Sequence, residues 1–355
     1  MYICNSYFTK IMDRQKIVTF GEIMLRLTPP DYLRFNQTNL FRASYGGSEA
    51  NVAVSLANYG LQSEFVTRLP DNRVADACID DLRRYGVRTD AILRGGKRLG
   101  IYYMEEAAAM RSSHVVYDRA DSAFDTLQPG MIDWDGIFRG ASWFHWSGIS
   151  AAVSAGTAAV CAEAIAAAHA AGLTVSCDIN YRKNLWKYGK EAKEVMSELT
   201  KYVDVAIANE EDFQKSLGIS AKSDVESGEL DRDVYKQIAQ TAMDLYPNLK
   251  KVAITLRESK SADTNYWAAC IYDGKEFYVS RKYDITDIVD RVGGGDSFGG
   301  GLIYSLLTGK TTQEAVEFAV AASALKHSIE GDYNMMTVSE VEKLAGGDGS
   351  GRIQR

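Results

Sequence analysis

The segment Asp290–Gly301, with the sequence DRVGGGDSFGGG, decides the fold of this chain of 355 residues. Apolar side chains spaced four residues apart run through and beyond it, and they predict a helix that begins near Gly295 or Asp296. A glycine within a helix costs roughly 0.8–1 kcal/mol relative to alanine. The three glycines at 299–301 therefore indicate that another group must approach the backbone of this helix closely.

Gly293–Gly295 precede that helix and predict an anion site. No side chains obstruct their N–H groups, and the partial positive charge of a helix N-terminus favours an anion there. Asp296 follows at the mouth of this site, where the helix dipole keeps a carboxylate ionised and where it can accept a proton from an attacking hydroxyl. The alternative is a glycine-rich turn in which Asp296 only caps the helix.

The rest of the chain alternates short apolar runs with helical patterns. Ile17–Gly21 has the β-branched and aromatic composition of a buried strand. This alternation predicts a mostly parallel sheet that helices cover on both faces, with ligands bound beyond the carboxyl ends of its strands. From residue 142 onward, predicted strands at Trp143–Trp146, Thr174–Asp178, Val205–Ala208 and Val252–Leu256 alternate with predicted helices at Thr157–Ala171, Ala192–Leu199, Glu210–Leu217 and Arg232–Leu245.

Three local signals add detail to this pattern. Ile101–Met104 and His114–Tyr117 are strand-like runs with no helix between them, which indicates an antiparallel ribbon. Ser48 precedes a helical pattern and is expected to be its N-cap. Asp273–Gly274 lies between two apolar runs and predicts a hairpin with a two-residue turn.

Composition limits the classes of function. Hydrophobic residues make up 46% and charged residues 25%, as in ordinary globular proteins. The net charge of −7 argues against nucleic acid or an anionic membrane as the main partner. The five cysteines are dispersed with no C-x-x-C pair, which excludes a disulfide framework and a zinc ribbon and fits a reducing cytoplasm. The four histidines are scattered and suggest no metal cluster.

No apolar run reaches the length of about 18 residues that a membrane span needs. We expect a single domain over residues 15–345, preceded by a loose extension at residues 1–14. The extension has no apolar run long enough for a signal peptide. Residues 346–355 are rich in glycine and polar side chains, and we expect a flexible tail there.

DRVGGGDSFGGG resembles the C-terminal signature of the ribokinase-like (PfkB-type) carbohydrate kinases, D-x-x-G-A-G-D-x-F-x-G-G, with Gly294 in place of the usual alanine. YGGSEANVA at residues 45–53 resembles their N-terminal signature, and the two motifs stand in the family's order. The resemblance covers residues 16–345. It implies a three-layer α/β/α ribokinase-like fold with a mostly parallel central sheet and a small β lid formed near residues 24–43 and 97–120.

Within the family, four segments look most like 2-keto-3-deoxygluconate kinases: GEIMLRLTPP (21–30), YDRADSAF (117–124), DINYRKNLW (178–186) and ALKHSIEGDYN (324–334). The resemblance implies an enzyme that uses MgATP to phosphorylate 2-keto-3-deoxygluconate at its terminal hydroxyl. Asp296 would be the general base, and the Gly293, Gly294 and Gly295 amides would stabilise the transferring phosphoryl group.

Arg119 and Arg182 are candidate ligands for the substrate carboxylate, because each guanidinium is a fork-shaped donor that is always charged. Arg119 has the alternative of pairing with Asp118 or Asp121 on the surface, and Arg182 that of a solvated basic loop. A neutral sugar needs no pair of guanidinium groups. The two arginines therefore favour a sugar acid over fructose or another neutral sugar.

Other substrate contacts follow from the resemblance. Gly46, Gly47 and Asn51 match the family's substrate-contact loop, where glycine lets sugar hydroxyls approach the backbone. Tyr103 and Tyr117 are expected to pack on the sugar chain and to hydrogen-bond its oxygens. The choice between Tyr102 and Tyr103 stays open, since one of them can instead serve lid packing.

On the nucleotide side, Asn209–Glu210–Glu211–Asp212 resembles the family's N-x-x-E motif near Mg²⁺. Asp212 is one methylene shorter than the usual glutamate, so the role falls to Glu211 or is met through water, unless the segment is only an acidic helix start. The family's Thr-x-Gly is here Thr255–Leu256–Arg257, and Arg257 either contacts phosphate or narrows the site. Asn334, with Gly293 and Gly295, is a further candidate nucleotide contact.

Asp290 matches a position associated with a monovalent cation such as K⁺. An exposed lid ribbon of this type commonly finds a partner ribbon, so we expect a cytoplasmic homodimer that pairs through the lid. Two alternatives stay open: a fructokinase or other ribokinase-like sugar kinase, and a catalytically silent sugar-binding regulator. An intact Gly293–Asp296 segment argues against the silent protein.

Overall fold

The computed structural model describes residues 15–220 and 232–349, so the predicted extension at 1–14 and most of the predicted tail lie outside the described part. Residues 346–348 donate backbone hydrogen bonds back to the last turn of the helix that precedes them. The strands are β1 (Lys16–Phe20), β2 (Met24–Thr28), β3 (Arg42–Gly46), β4 (Gln62–Val66), β5 (Arg68–Leu69), β6 (Leu93–Arg94), β7 (Gly100–Glu105), β8 (His114–Asp118), β9 (Ala141–Ser147), β10 (Thr174–Asp178), β11 (Val205–Ala208), β12 (Lys251–Ser259), β13 (Asn265–Tyr272), β14 (Phe277–Val279) and β15 (Tyr283–Ile285).

The helices alternate with these strands. Two short helical segments lie among them. One is a 3₁₀ turn at Thr200–Tyr202, and the other is a helical turn at Glu210–Asp212 that continues as a π-helical turn at Phe213–Leu217. The labelled helices are α1 (Ser48–Asn58), α2 (Arg73–Arg84), α3 (Trp134–Phe138), α4 (Gly148–Ala152), α5 (Ala155–Ala170), α6 (Ala192–Leu199), α7 (Arg232–Leu245), α8 (Gly294–Leu307), α9 (Thr312–Lys326) and α10 (Val338–Ala345).

The central sheet has nine strands, and its larger part is parallel. The order is β14-β13-β12-β11-β10-β9-β1-β4, and β15 also pairs with β13. The strands from β12 to β4 pair in parallel, whereas β13, β14 and β15 form an antiparallel edge. The carboxyl ends of β1 and β9 to β12 therefore meet along one edge of the sheet, where the alternation pattern predicted the ligand site.

Both faces of the parallel strands are covered, because successive strand residues point to opposite sides. Ile17 packs with side chains of α1, α8 and α9, whereas its neighbour Val18 packs in the core formed with α3, α5, α6 and α7. Val205 and Ala206 divide between the same two cores. The three-layer α/β/α fold is confirmed, and it explains why the strands are apolar throughout.

A second sheet lies at the carboxyl edge of the first. Its order is β3-β2-β7-β8, so it joins the two segments that were predicted to form a lid. The antiparallel ribbon of β7 and β8 is confirmed, and β2 pairs with β7 in parallel. All five residues of β8 are exposed, which leaves this edge of the small sheet uncovered.

Two local predictions differ from the structure. The hairpin between β13 and β14 turns one residue later than predicted: Tyr272 pairs with Phe277 and Asp273 N donates to the Glu276 carbonyl at 3.3 Å, so the two central residues are Gly274 and Lys275. The predicted helix at Glu210–Leu217 divides into one helical turn and one π-helical turn. Asp212 caps the first turn together with Asn209. Phe213 and Leu217 of the wider π-helical turn that follows pack into the core.

Among residues 15–220 and 232–349, no helix is both long enough and apolar enough to cross a membrane.

Two glycines of α8 let neighbouring helices come close. A Cβ added to Gly300 would lie 2.7 Å from the Ser55 Cβ of α1, and one added to Gly301 would lie 3.0 Å from the Ala319 Cα of α9. Gly299 is different, because an added Cβ would meet only Ile207 Cδ1 at 3.6 Å and Val52 Cγ2 at 3.7 Å. The predicted close approach is therefore real, and it comes from two packed helices.

Gly300→Ala is expected to lower the free energy of unfolding by about 1–3 kcal/mol, the usual cost of overpacking. Gly299→Ala is the matched control, because it adds a methyl at ordinary contact distance and gains up to roughly 1 kcal/mol of helix propensity. Urea unfolding of both variants measures the difference. Equal stability of the two variants would contradict the close packing of α8 on α1.

Candidate active site

A cleft of about 680 Å³ opens between the small sheet and the carboxyl edge of the central sheet. The N-termini of α1 and α8 point into it, so backbone N–H groups face the ligand space from two sides. Most of the predicted site residues line this cleft: Gly46, Gly47, Asn51, Tyr117, Arg119, Arg182, Asn209, Glu211, Asp212, Thr255, Arg257, Gly293, Gly294, Gly295 and Asp296.

Asp296 lies in the first turn of α8 and is held by two side chains of α1. Its Oδ1 accepts a hydrogen bond from Ser48 Oγ at 2.7 Å, and its Oδ2 accepts one from Asn51 Nδ2 at 2.6 Å. Burial at the floor of the cleft raises the pKa of Asp296 above its ordinary value, and the two hydrogen bonds oppose that shift. The carboxylate therefore has a fixed orientation and is more basic than an exposed aspartate.

Ser48 was predicted to be the N-cap of α1, and that prediction is wrong. Gly47 is the N-cap and makes no side-chain capping bond. The Ser48 hydroxyl is used for Asp296 instead, because the N-terminus of α1 faces the start of α8 across the cleft floor. The position of Ser48 in the N-terminal motif indicated a role at the site, but a local capping rule assigned its hydroxyl to the helix backbone instead.

The first turn of α8 supplies the anion site. Within the described part of the chain, the backbone amides of Gly293, Gly295 and Asp296 have no backbone acceptor, whereas Gly294 N donates to the Arg291 carbonyl at 3.4 Å. Gly293 has φ of 80°, in the left-handed region that favours glycine. A Cβ on Gly293 would also lie 2.0 Å from the Asp332 carbonyl oxygen. The amides of Gly293, Gly295 and Asp296 are therefore available for the predicted anion, whereas the Gly294 amide is engaged elsewhere.

Gly294 and Gly295 differ in what surrounds them. A Cβ on Gly294 would meet His327 Cε1 at 3.0 Å, whereas a Cβ on Gly295 would meet no atom within 4 Å. The His327 ring explains why glycine stands where the resembled signature has alanine. Tolerance of an alanine at Gly294, which the signature implies, is therefore not expected in this chain.

Gly46 and Gly47 are required by close packing within the protein. A Cβ on Gly46 would lie 1.9 Å from Asp332 Oδ2, and one on Gly47 would lie 2.0 Å from the Glu22 carbonyl oxygen. Both residues line the cleft, so their backbone stays accessible from the ligand side.

Arg119 pairs with Glu22 and not with Asp118 or Asp121. Its Nε donates to Glu22 Oε2 at 2.8 Å, and both side chains are buried. Asp118 pairs with Arg98 instead. The surface-pair alternative is therefore wrong, and the Arg119 guanidinium is fixed at the wall of the cleft by a carboxylate that sequence reasoning missed.

Two further guanidinium groups face the cleft from the central sheet. Arg182 follows β10 and is exposed, and its Nη1 donates to the Tyr181 carbonyl at 2.9 Å. Arg257 lies in β12, where partial burial and then the nearby charge of Arg182 lower its pKa. Two cations that repel each other beside an open cleft form a site suited to an anionic ligand.

Tyr102, not Tyr103, faces the cleft. Neighbouring strand residues point to opposite faces, and the ring of Tyr103 lies on the other face of the small sheet against Phe35 and Phe41, at centroid distances of 6.4 and 6.2 Å. Tyr102 therefore takes the cleft-facing position predicted for Tyr103, but its hydroxyl donates to Asp332 Oδ2 at 2.7 Å, which leaves its ring for a ligand contact. Tyr117 lines the cleft as predicted.

The acidic turn after β11 has two kinds of carboxylate. Asp212 is buried and accepts backbone hydrogen bonds from Tyr181 N at 2.8 Å and Asn209 N at 3.0 Å, so it caps the turn. Asn209 completes the capping box, since its Oδ1 accepts from Asp212 N at 2.9 Å. Glu211 is exposed at the cleft. Of the two predicted Mg²⁺ ligands, Glu211 is the one whose carboxylate is not used for capping.

The surroundings of Asp178 bear on a divalent cation. Burial, and then the charges of Asp212 and Asp296, raise the pKa of Asp178 well above its ordinary value. Carboxylates that repel one another beside a phosphate site fit Mg²⁺, which usually binds one or two carboxylates together with phosphate oxygens and waters. Over residues 15–220 and 232–349, no three His, Cys, Asp or Glu side chains are grouped to hold a metal by themselves.

Asn334 does not face the cleft. Its Nδ2 donates to the Tyr59 hydroxyl at 2.8 Å, and its Oδ1 accepts from Met336 N at 3.1 Å. The side chain is buried and joins α1 to the loop after α9. The predicted nucleotide contact is therefore corrected to a structural role, because every polar atom of the amide group serves the interior.

Asp290 does not fit a monovalent cation. Its Oδ2 lies 2.8 Å from Arg26 Nη2 and accepts from Gly331 N at 3.0 Å, and its Oδ1 accepts from Val292 N at 3.0 Å. Arg26 is 2% exposed. A guanidinium thus already neutralises this carboxylate, and both of its oxygens are occupied.

Glu49 is a second carboxylate that the sequence analysis missed. It is buried at the cleft floor, and its Oε1 accepts from Ser147 Oγ and Ser150 Oγ, each at 2.7 Å. Burial raises its pKa to about 7, against the effect of these hydrogen bonds. The sequence feature that could have indicated this role is an acidic residue at an otherwise apolar helical position of α1. Arg26 left a similar signal, as a charged residue at an inward position of β2.

Comparison with known proteins agrees with this geometry. The family described as pfkB family carbohydrate kinase matches residues 14–340. The 2-dehydro-3-deoxygalactonokinase of Haloferax volcanii is 32% identical over 334 residues, covering 94% of this chain and 98% of its own length. The crystal structure of 2-dehydro-3-deoxygluconokinase from Thermotoga maritima is similar with a TM-score of 0.89 at 49% identity, covering 94% of this chain and 99% of that chain. Fructokinase-2 of Solanum habrochaites is 29% identical over 325 residues, covering 89% of this chain and 91% of its own length.

Gly295→Val is expected to lower kcat by at least about 10²-fold, the usual effect of disabling a donor to a developing charge. The side chain meets no protein atom and projects into the cleft, so the melting temperature should change little. Gly294→Ala is the contrasting variant, and it should lower the melting temperature because its Cβ meets His327. An active Gly295→Val enzyme would show that no phosphate binds at this turn.

Proposed function

Because the chain belongs to the pfkB family of carbohydrate kinases, we propose that it transfers the γ-phosphoryl group of ATP to 2-keto-3-deoxy-D-gluconate. The product is 2-keto-3-deoxy-6-phosphogluconate, and ADP leaves. The observation that carries this proposal is the position of Asp296. Its carboxylate is fixed by Ser48 and Asn51 at the N-terminus of α8, beside amides that can bind a phosphoryl group.

The proposed reaction uses Asp296 as the base. The terminal hydroxyl of the sugar acid attacks the γ-phosphorus, the bond from that phosphorus to the β,γ-bridging oxygen breaks, and the hydroxyl proton passes to the Asp296 carboxylate. Phosphoryl transfer depends mainly on positioning and on electrostatic stabilisation. The amides of Gly293, Gly295 and Asp296 would supply the latter, and Asp296 would orient the hydroxyl and take its proton late.

Mg²⁺ would bind between the nucleotide phosphates and the acidic turn after β11. Glu211 is the carboxylate donor in this proposal, because it is exposed at the cleft and takes no part in capping, and Asp178 lines the same cleft. When bound, the ion supplies charge neutralisation on the phosphate oxygens. Arg257 and Thr255 line the same side of the cleft and would contact the nucleotide.

The sugar acid would bind under the small sheet. Arg182 is the cation best placed to meet its carboxylate, because it is exposed at the cleft and its Nη1 donates to a backbone carbonyl rather than to a carboxylate. Arg119, oriented by Glu22, and the rings of Tyr102 and Tyr117 would line the opposite wall. The small sheet would then act as a lid that excludes water and limits wasteful hydrolysis of ATP.

The 4-epimer, 2-keto-3-deoxygalactonate, is the second candidate substrate, since a relative at 32% identity carries that name. The sequence identity of 49% to a 2-dehydro-3-deoxygluconokinase favours 2-keto-3-deoxygluconate. Fructose is less favoured, because a neutral sugar leaves the guanidinium groups at the cleft without an anionic partner. A coupled assay of ADP release on all three compounds ranks them, and a higher kcat/KM for fructose would overturn the proposal.

A homodimer through the small sheet is part of the proposal. β8 is an edge strand exposed at every residue, and it carries Val115, Val116 and Tyr117. Such an edge is an obvious template for pairing with a second copy. Sedimentation equilibrium tests the homodimer, since a measured mass equal to that of a single chain would exclude it.

The four described cysteines are buried and unpaired, which supports a reducing cytoplasmic location.

Asp296→Asn keeps the shape of the side chain and removes the base. The value of kcat is expected to fall by about 10²–10⁴-fold, the usual contribution of a general base, while ATP affinity changes little. Steady-state kinetics and nucleotide titration by calorimetry measure the two effects. Retention of more than about a tenth of the activity would identify Asp296 as a helix cap only.

Arg182→Ala is expected to raise KM for the sugar acid by roughly 10–150-fold, because a hydrogen bond to a charged group is worth about 1.5–3 kcal/mol. KM for a neutral analogue should change much less. Lys183→Ala is the matched control, since Lys183 is exposed next to Arg182 but does not line the cleft. Equal losses on acidic and neutral substrates would contradict the carboxylate contact.

A further inference from the structure

Lys326 is a buried cation that the proposed reaction has not used. It is the last residue of α9, and its side chain is 0% exposed. Its Nζ donates a hydrogen bond to the Ile329 carbonyl at 3.0 Å. Removing an ammonium group from water is costly unless anions or dipoles surround it, so the neighbours of Lys326 must explain its burial.

Those neighbours are two carboxylates that also bind Arg26. Burial lowers the pKa of Lys326, and the charges of Asp290 and Asp332 act against that shift. Arg26 Nη1 lies 2.9 Å from Asp332 Oδ1, and Arg26 Nη2 lies 2.8 Å from Asp290 Oδ2. Glu106 Oε1 also lies 3.6 Å from Arg26 Nη2, and Glu106 Oε2 lies 2.9 Å from Arg42 Nη2. Three side-chain cations therefore face three carboxylates in this cluster, and their charges balance without an added ion.

This charge cluster lies directly behind the anion site. A Cβ built on Gly293 would be 3.4 Å from Lys326 Cε and 2.0 Å from the Asp332 carbonyl oxygen. Gly293 is the N-cap of α8 and lines the cleft on the other side of the same turn. The aliphatic end of Lys326 thus contacts the loop that would receive the phosphoryl group.

We propose that Lys326, together with Arg26, is the built-in cation of the phosphate loop, takes the place of a monovalent metal ion at Asp290, and makes the enzyme independent of K⁺. The proposal rests on the kinase function proposed above. Lys326 is a positioning residue, because it contacts the Gly293 turn and not the reacting atoms. Its fixed charge holds Gly293 in the left-handed conformation and adds positive potential where negative charge develops.

The first test uses the wild-type protein. Activity on the sugar acid with MgATP is measured in K⁺ salts and in choline salts of equal ionic strength. The expected kcat values agree within twofold. A kcat that rises more than about fivefold with K⁺ would overturn the proposal, because a bound metal ion would then be needed.

The second test replaces the ammonium by an uncharged side chain of similar length. Lys326→Met is expected to lower kcat by about 10–100-fold in choline salts and to regain at least part of this loss in K⁺, which can enter the vacated site. Lys343→Met is the matched control, since Lys343 also stands in the last turn of a helix but lies outside the cleft. Its activity should stay the same in both salts.

A third measurement does not depend on catalysis. An ion that binds only the folded protein raises the melting temperature, by an amount that grows with the logarithm of its concentration above its Kd. K⁺, relative to choline, is expected to leave the melting temperature of the wild type and of Lys343→Met unchanged and to raise that of Lys326→Met. Stabilisation of the wild type by K⁺, or a destabilised Lys326→Met protein with no response to K⁺, would contradict the proposal.

These outcomes separate the two proposals. If no sugar is phosphorylated in any salt, the proposed function fails, and the melting experiments still decide whether Lys326 replaces a cation. If the sugar acid is phosphorylated but only with K⁺, the function stands and the role of Lys326 fails.

Discussion

The hydrogen bonds from Ser48 and Asn51 to Asp296 are the contacts on which the rest of the structure depends. They join the N-terminus of α1 to that of α8, two elements from opposite ends of the chain. The helices can approach this closely only because Gly300 presents no side chain to Ser55. The central sheet supports the same arrangement. Helices cover both of its faces, so the two helix N-termini and the ends of β10 to β12 meet at its carboxyl edge.

The layers of the fold could be predicted because they depend on local periodicity. Strand alternation and the apolar composition of β1, β9, β10 and β11 are enough to define a sheet covered on both faces. The place of Asp296 and of the glycine turn in the cleft could be predicted from a motif of consecutive residues, and that of Arg182 from a charged residue just after a predicted strand. These predictions needed no knowledge of which side chains meet across the fold.

What could not be predicted depends on contacts between distant segments. Tyr102 and Tyr103 are adjacent and chemically identical, so only the orientation of the small sheet distinguishes the one that faces the cleft. Asp290 and Asn334 look available as ligands until Arg26 and Tyr59, far away in the chain, occupy their polar atoms. Gly294 is likewise explained by His327, which no local rule connects with it. Each failure came from a group whose partner is set by tertiary packing.

The pairing of Arg26 with Asp332 has a consequence for how the protein is made. The two residues are 306 positions apart, yet their side chains meet at 2.9 Å. While the chain is being synthesised, β2 leaves the ribosome long before Asp290 and Asp332 exist, and an unpaired guanidinium is costly to bury. We therefore expect the small sheet to dock late, after almost the whole chain has emerged. A chain that ends before Asp290 would leave the Arg26 guanidinium without these two partners, and the small sheet would then lose part of what holds it over the cleft.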